Sequence, residues 1–148
     1  MSQTKLQELL LDSHQAGVYR FPHGNRVALL DAAEAVGVAC FEADLGDSEQ
    51  IQVVLTRLGR QLGFPEWYGN NFDALKDCLS DISWCEEAGY LLVITRADAL
   101  QAADAPAFQT LNEVFALAID EWRARGVPMW VFYDLQAGNG LATLPSLG

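Results

Sequence analysis

Three aspartates, Asp73, Asp77 and Asp81, recur every four residues in this chain, and just ahead of them stands the run Trp67-Tyr68-Gly69, with Asn71 next but one. On a helix that spacing lines up three carboxylates along one side. Such a row has three chemical uses. Oxygen ligands at helical spacing can hold a hard cation, and magnesium needs only one or two carboxylates beside its substrate. The same row can meet a cationic protein surface. It can also be no more than a solvated acidic face, a common surface pattern. Like charges at i, i+4 each cost about a few tenths of a kcal/mol in an isolated helix. Asp73, in the first turn, is helped by the helix dipole; Asp77 and Asp81 are not, and Lys76 is the nearest compensating charge. Two large aromatics beside a glycine in a loop are typical interface anchors, which adds Trp67 and Tyr68 to the acidic row.

Catalytic readings find little support. The chain has no Gly-rich phosphate loop, no GKS motif and no cluster of basic substrate-binding residues. Its two histidines, His14 and His23, read as surface groups, and no Ser-His-Asp or Cys-His pattern appears. We therefore expect no catalysis, no metal and no cofactor.

The elements that must position these residues follow from periodicity. Residues 71–80 read as a short helix capped by Asn71, with Phe72, Leu75, Cys78 and Leu79 inward. Ahead of it, residues 48–63 carry Ile51, Val54, Leu55, Leu58 and Leu62 at helical spacing, with Asp47 or Ser48 as cap and Gly63 and Pro65 as the stop. Strands are expected at 17–21, 38–44, 90–96 and 127–133, the third a continuous apolar run suited to burial on both faces. Helices are expected at 3–13 and 26–36, the second ended by Gly37. A long one runs from Asp104 or Ala105 to Arg125, with Phe108, Leu111, Phe115, Ala118 and Trp122 on its inner stripe. His23, Gly24 and Asn25 read as a turn. The alternation implies an α/β domain whose mainly parallel sheet is flanked by helices.

Charge limits the partner. Nine Lys and Arg against twenty Asp and Glu give a net charge of −11 over 148 residues. Phosphate backbones and anionic membranes would be repelled, so neither nucleic acid nor membrane is expected as a direct ligand. The acidity suits a cationic partner, and it also suits plain solubility. The three cysteines, Cys40, Cys78 and Cys85, are odd in number and lack CxxC spacing, so they read as buried reduced thiols. The N-terminal residues lack the apolar run of a signal peptide, and no stretch reaches membrane-spanning length. A cytoplasmic location is the expectation.

The string at residues 65–79, Pro-Glu-Trp-Tyr-Gly-Asn-Asn-Phe-Asp-Ala-Leu-Lys-Asp-Cys-Leu, resembles the barstar family, intracellular inhibitors of barnase-like ribonucleases. The resemblance continues more loosely from the strand at 38–44 to that at 127–133. It implies a barstar-like domain over 38–135 and an N-terminal extension over 1–37 of the kind found in larger bacterial members; residues 136–148, rich in Gly, Ala and Leu, read as a loose tail. It also implies a bacterial immunity role, in which the loop and acidic helix plug the active site of a basic ribonuclease in a 1:1 complex. Carboxylates there take the place of RNA phosphates. Asp77 matches the central aspartate that meets the enzyme's phosphate-binding arginines and catalytic histidine, and Asp73 the aspartate flanking it. Trp67 stands where the archetype has an interface tyrosine, followed by the Tyr68 of the shared string. Gly69, Asn71 and Ala74 match small or polar contact positions. Glu121, counted back from Gly126, matches a family glutamate late in the long helix, although Glu121 and Arg125 also make a favourable i, i+4 pair.

Departures from the archetype are specific. Lys76 replaces an interface tryptophan, Asn70 replaces an acid, and Asp81 stands where the archetype has glycine. Trp84 substitutes for a nearby interface tryptophan, with the loop spacing differing by two. A cation at residue 76 facing a cationic nuclease weakens binding unless the partner compensates. The alternative expectation is thus a barstar-like interaction module whose target is not a ribonuclease.

Overall fold

The structure is a computed structural model that describes residues 3–20, 26–65, 68–81 and 88–134. Among these, the chain forms strands β1 (Val18–Arg20), β2 (Val38–Asp44), β3 (Gly89–Thr95) and β4 (Met129–Asp134). Helices α1 (Gln3–Leu10), α2 (Arg26–Ala35), α3 (Ile51–Gln61), α4 (Phe72–Ser80), α5 (Asp98–Ala103) and α6 (Ala105–Ala124) accompany them. The strands make one sheet in the order β1-β4-β3-β2, every pair parallel, with Leu92 in register with both Phe41 and Val131. The α/β class with a parallel sheet flanked by helices is what the alternating pattern predicts.

The two central strands explain their own composition. Residues 89–94 of β3 and 129–133 of β4 are all buried, because each strand has a neighbour on both sides and helices over both faces. Side chains alternate between those faces. Tyr133 packs edge-on to Phe108 and Phe115 of α6, with centroids 5.2 Å and 6.4 Å away, and Tyr90 meets Trp122 of the same helix. On the other face Trp130 and Phe132 stack on one another, Tyr19 of β1 lies against both, and the Trp130 Nε1–H donates to the Leu10 carbonyl at the end of α1. This division follows from connectivity. The steps from β2 to β3 to β4 run one way across the sheet and the step from β1 to β2 runs back. Right-handed crossovers therefore lay α3–α6 on one face and α2 on the other.

The first 37 residues supply an edge strand and two helices. Leu6, Leu10, Leu29, Ala32 and Ala33 are buried, and Val131 N–H donates to the Gly17 carbonyl. Arg123 of α6 reaches over to donate to the carbonyls of Ser13 and Ala16, so α6 ties this segment to the sheet.

At the opposite edge, the Gln61 carboxamide lies alongside β2 as a peptide group would. Its Oε1 accepts from the Asp44 N–H at 2.8 Å and its Nε2 donates to the Asp44 carbonyl at 2.7 Å.

Local differences from the sequence reading have local causes. Helix α3 starts at Ile51 after Gln50, whose side chain makes no cap, so neither Asp47 nor Ser48 is the cap residue. Asp47 instead takes a left-handed backbone (φ 56°) in the turn after β2, and Ser48 Oγ accepts from the Gln50 N–H. Helix α5, unanticipated, is a six-residue piece leading into the Asp104 cap of α6. Gly63 and Gly126 end α3 and α6 with φ of 70° and 76°, a conformation that costs other residues a Cβ clash. Cys78 is buried as expected, but Cys40 is exposed, because β2 is an edge strand. Partial desolvation, then Glu34 and Glu42, pushes its thiol pKa up. Cys85, the turn at His23-Gly24-Asn25 and the tail over 136–148 lie outside the described residues. No helix among the described residues is long and apolar enough to cross a membrane.

Candidate partner-binding face

Helix α4 begins as its sequence dictates. Asn71, in an extended conformation, accepts from the Ala74 N–H at 2.8 Å and so satisfies one of the unpaired donors of the first turn. Asn70 before it has φ 53°, a left-handed conformation asparagine tolerates, and its carbonyl accepts from Gln52 Nε2 of α3 at 2.8 Å. A Cβ on Gly69 would come within 2.9 Å of Asn71 Nδ2, so glycine there keeps the cap amide in place.

Tyr68 departs from the expectation of an interface aromatic. Its ring is buried, lies edge-on to Phe64 with centroids 5.1 Å apart, and its hydroxyl donates to the Leu55 carbonyl at 2.9 Å. The ring fits because residue 59 of α3 is glycine: a Cβ there would sit 2.4 Å from Tyr68 Cε2. Burial holds the phenol neutral well above its ordinary range. Tyr68 thus pins the loop to α3 from inside rather than offering its ring to a partner. Trp67 and Trp84 lie outside the described residues.

The two faces of α4 separate as the period requires. Leu75, Cys78 and Leu79 are buried and Phe72 is half-buried, whereas Asp73 and Asp77 are exposed. Among the described residues neither carboxylate has an ion-pair or hydrogen-bond partner. Asp81 is exposed too, but it caps the helix with ψ 51° and so has left the helical repeat that aligns Asp73 with Asp77. Ala74 is half-buried behind them.

Helix α6 holds the C-terminal half of α4. Trp122 Nε1–H donates to the Leu79 carbonyl at 2.9 Å, which satisfies an acceptor the helix end leaves open. Lys76 Nζ lies 2.5 Å from Glu121 Oε1. This bridge between helices gives Glu121 a partner other than the Arg125 that its spacing suggests; the Arg125 guanidinium instead lies over the Trp122 ring, 4.7 Å from its centroid. The mutual hydrogen bond keeps the Lys76 ammonium charged to higher pH than usual and the Glu121 carboxyl ionised to lower pH. Lys76 is therefore a neutralised cation, not an isolated one. One turn before Glu121 stands Leu117, 54% exposed. In the sequence it is a leucine off the inner stripe of α6, a signal that helical period alone does not separate from an ordinary surface residue.

A second charged cluster joins the C-terminal ends of β2 and β3. Arg96, at φ 55°, donates from Nε and Nη2 to both Asp44 oxygens at 2.7 Å and 2.6 Å, with Asp47 nearby. The Asp44 carboxyl is lowered to about 2, first by Arg96 and then by the Gly46 N–H. Arg57 of α3 donates to the Asp44 carbonyl, so this cluster ties the sheet to the helix ahead of the loop. Among the described residues no group of three or more His, Cys, Asp or Glu side chains converges as a metal site.

The fold is similar to that of the ORC2 protein of Aeropyrum pernix, solved in ADPNP–ADP complexes. The TM-score is 0.53 at 13% identity, over 89% of this chain and 40% of that one. Drosophila ORC bound to AT-rich DNA and Cdc6 matches at TM-score 0.46 and 9% identity, over 90% of this chain and 47% of that one. The chain thus spans less than half the length of either, and at such identity the first likeness is one of fold alone. No curated protein matches this chain. The family model described as Barstar (barnase inhibitor) matches residues 38–134, from the start of β2 to the end of β4. With the capped acidic helix, the loop before it and Glu121 all inside that match, the chain belongs to the barstar family.

Proposed function

We propose that this chain is a non-catalytic inhibitor that binds the active site of a basic ribonuclease one-to-one, the carboxylates of α4 standing where RNA phosphates would bind. One observation carries the reading: Asp73 and Asp77 sit one helical turn apart, exposed and without a partner among the described residues, on a helix braced by the Asn71 cap, Tyr68 and Trp122. Such carboxylates suit a cationic pocket, because they bring charge that no internal ion pair has to release. The net charge of −11 adds long-range attraction to a basic enzyme. Family membership supports the same partner class. The action is intracellular, in the cytoplasm of a bacterium that makes or meets such an enzyme. The ADPNP–ADP complexes of the ORC2 protein lend no support to nucleotide chemistry here, because that likeness is one of fold and the sequence carries no GKS phosphate loop.

A second reading, an interaction module for a target other than a ribonuclease, draws on the Lys76–Glu121 pair, which breaks the run of negative charge. Titrating the purified full chain against barnase while following RNA cleavage separates the two. Stoichiometric loss of cleavage supports the inhibitor; full activity at micromolar chain favours the other target.

A further inference from the structure

The face built by α4 and α6 carries three carboxylates that are not equivalent. Asp73 and Asp77 are exposed and unpaired among the described residues, whereas Glu121 is held at 2.5 Å by Lys76, with both members of the pair partly exposed. Residue 76 sits between the two aspartates in sequence, and its stem turns toward α6, so the bridge borders the acidic row. A partner cation approaching Glu121 would share its carboxylate with Lys76 or displace it, and either way would face the ammonium as a like charge. A partner with no cation at that point meets no such conflict.

We propose that Lys76 is a specificity-determining residue of this face: by engaging Glu121 inside the molecule it leaves a partner two carboxylates instead of three. It thereby selects a ribonuclease with cations opposite Asp73 and Asp77 and an uncharged or acidic surface opposite the bridge. This rests on the inhibitor reading above. Lys76 and Glu121 come from different helices and meet only through the packing that also joins Trp122 to Leu79, so the bridge has a fixed place on the face.

The test uses barnase as the probe and three full-length chains: the parent, Lys76→Met, and Lys76→Met with Glu121→Gln. Methionine keeps the length of the stem and removes the charge. Lys76→Met should tighten binding about tenfold or more, and adding Glu121→Gln should remove most of that gain. In the free protein, NMR titration of the Glu121 carboxyl should move up toward the ordinary carboxylate range in Lys76→Met. Parent binding that Lys76→Met fails to tighten overturns the inference alone, and so does a gain that survives Glu121→Gln. A Glu121 titration indifferent to Lys76 also overturns it. Absence of binding by both the parent and Lys76→Met would instead strike the inhibitor reading, and the inference with it.

Discussion

The ring of Tyr68 lies so close over Gly59 that a methyl group on residue 59 would stand 2.4 Å from its Cε2 atom. Gly59→Ala must therefore push the ring out of its seat against Phe64 and away from the Leu55 carbonyl. Overpacking of this kind costs about 1–3 kcal/mol, set against the roughly 0.5–1 kcal/mol that alanine gains over glycine in a helix. We expect a net loss of about 1 kcal/mol, measured by urea melts. Combined with Tyr68→Leu, which clears the space, the same Gly59→Ala change should be neutral or stabilising; an equal loss in both backgrounds would refute the steric account.

Asp77→Ala should separate binding from stability. The carboxylate is exposed, unpaired among the described residues, and a like-charged neighbour of Asp73 one turn away, so its removal should leave stability within about 0.5 kcal/mol of the parent or slightly above it. In a complex its loss would strand desolvated cations, and inhibition should fall by orders of magnitude. Barstar's matching aspartate is a known hot-spot example, so that size is no novelty; the opposite response of the two quantities is the point. Thermal melting and inhibition titration on one preparation decide it, and a variant that inhibits like the parent ends the phosphate-mimic reading.

Association should be steered by charge. With a net charge of −11 and two open carboxylates at the face, the on-rate for a basic ribonuclease should fall steeply as salt rises from low ionic strength to about 0.5 M. Stopped-flow association rates that do not change with salt would remove steering from the account.

Acid stability should report the Asp44–Arg96 bridge. The folded carboxyl titrates at about 2 against 3.8 for the free group. Its contribution is thus present above 3.8 and is lost as pH falls through the interval down to 2. Melting temperatures should drop across that interval in the parent and drop less in Asp44→Asn. Parallel curves for the two proteins would mean that the bridge adds nothing in solution.

The site was legible where local rules decide. The Asn71 cap, the inward set Leu75, Cys78 and Leu79, and the outward Asp73 and Asp77 follow from helical period and cap chemistry, and each stands where those rules put it. The buried strand β3 announces itself by an unbroken apolar run. What escaped depends on contacts distant in sequence. Nothing near Tyr68 says that a glycine nine residues earlier will make a seat for its ring, and an aromatic beside a glycine looks the same whether its ring points in or out. Spacing on one helix offered Arg125 to Glu121, but the packing of α4 on α6 supplied Lys76 from 45 residues away. Cys40 sits in an apolar run, and only the strand order reveals that, among the described residues, its strand has an open side.

That open side is not equally open along its length. Where the Gln61 carboxamide both donates to and accepts from the backbone of Asp44, the last peptide of β2 already has the partner that an incoming strand would offer. Extended segments of other chains seek such edges. By ending the ladder with a side chain from its own helix, the molecule blunts one end of its vulnerable border against indiscriminate strand pairing.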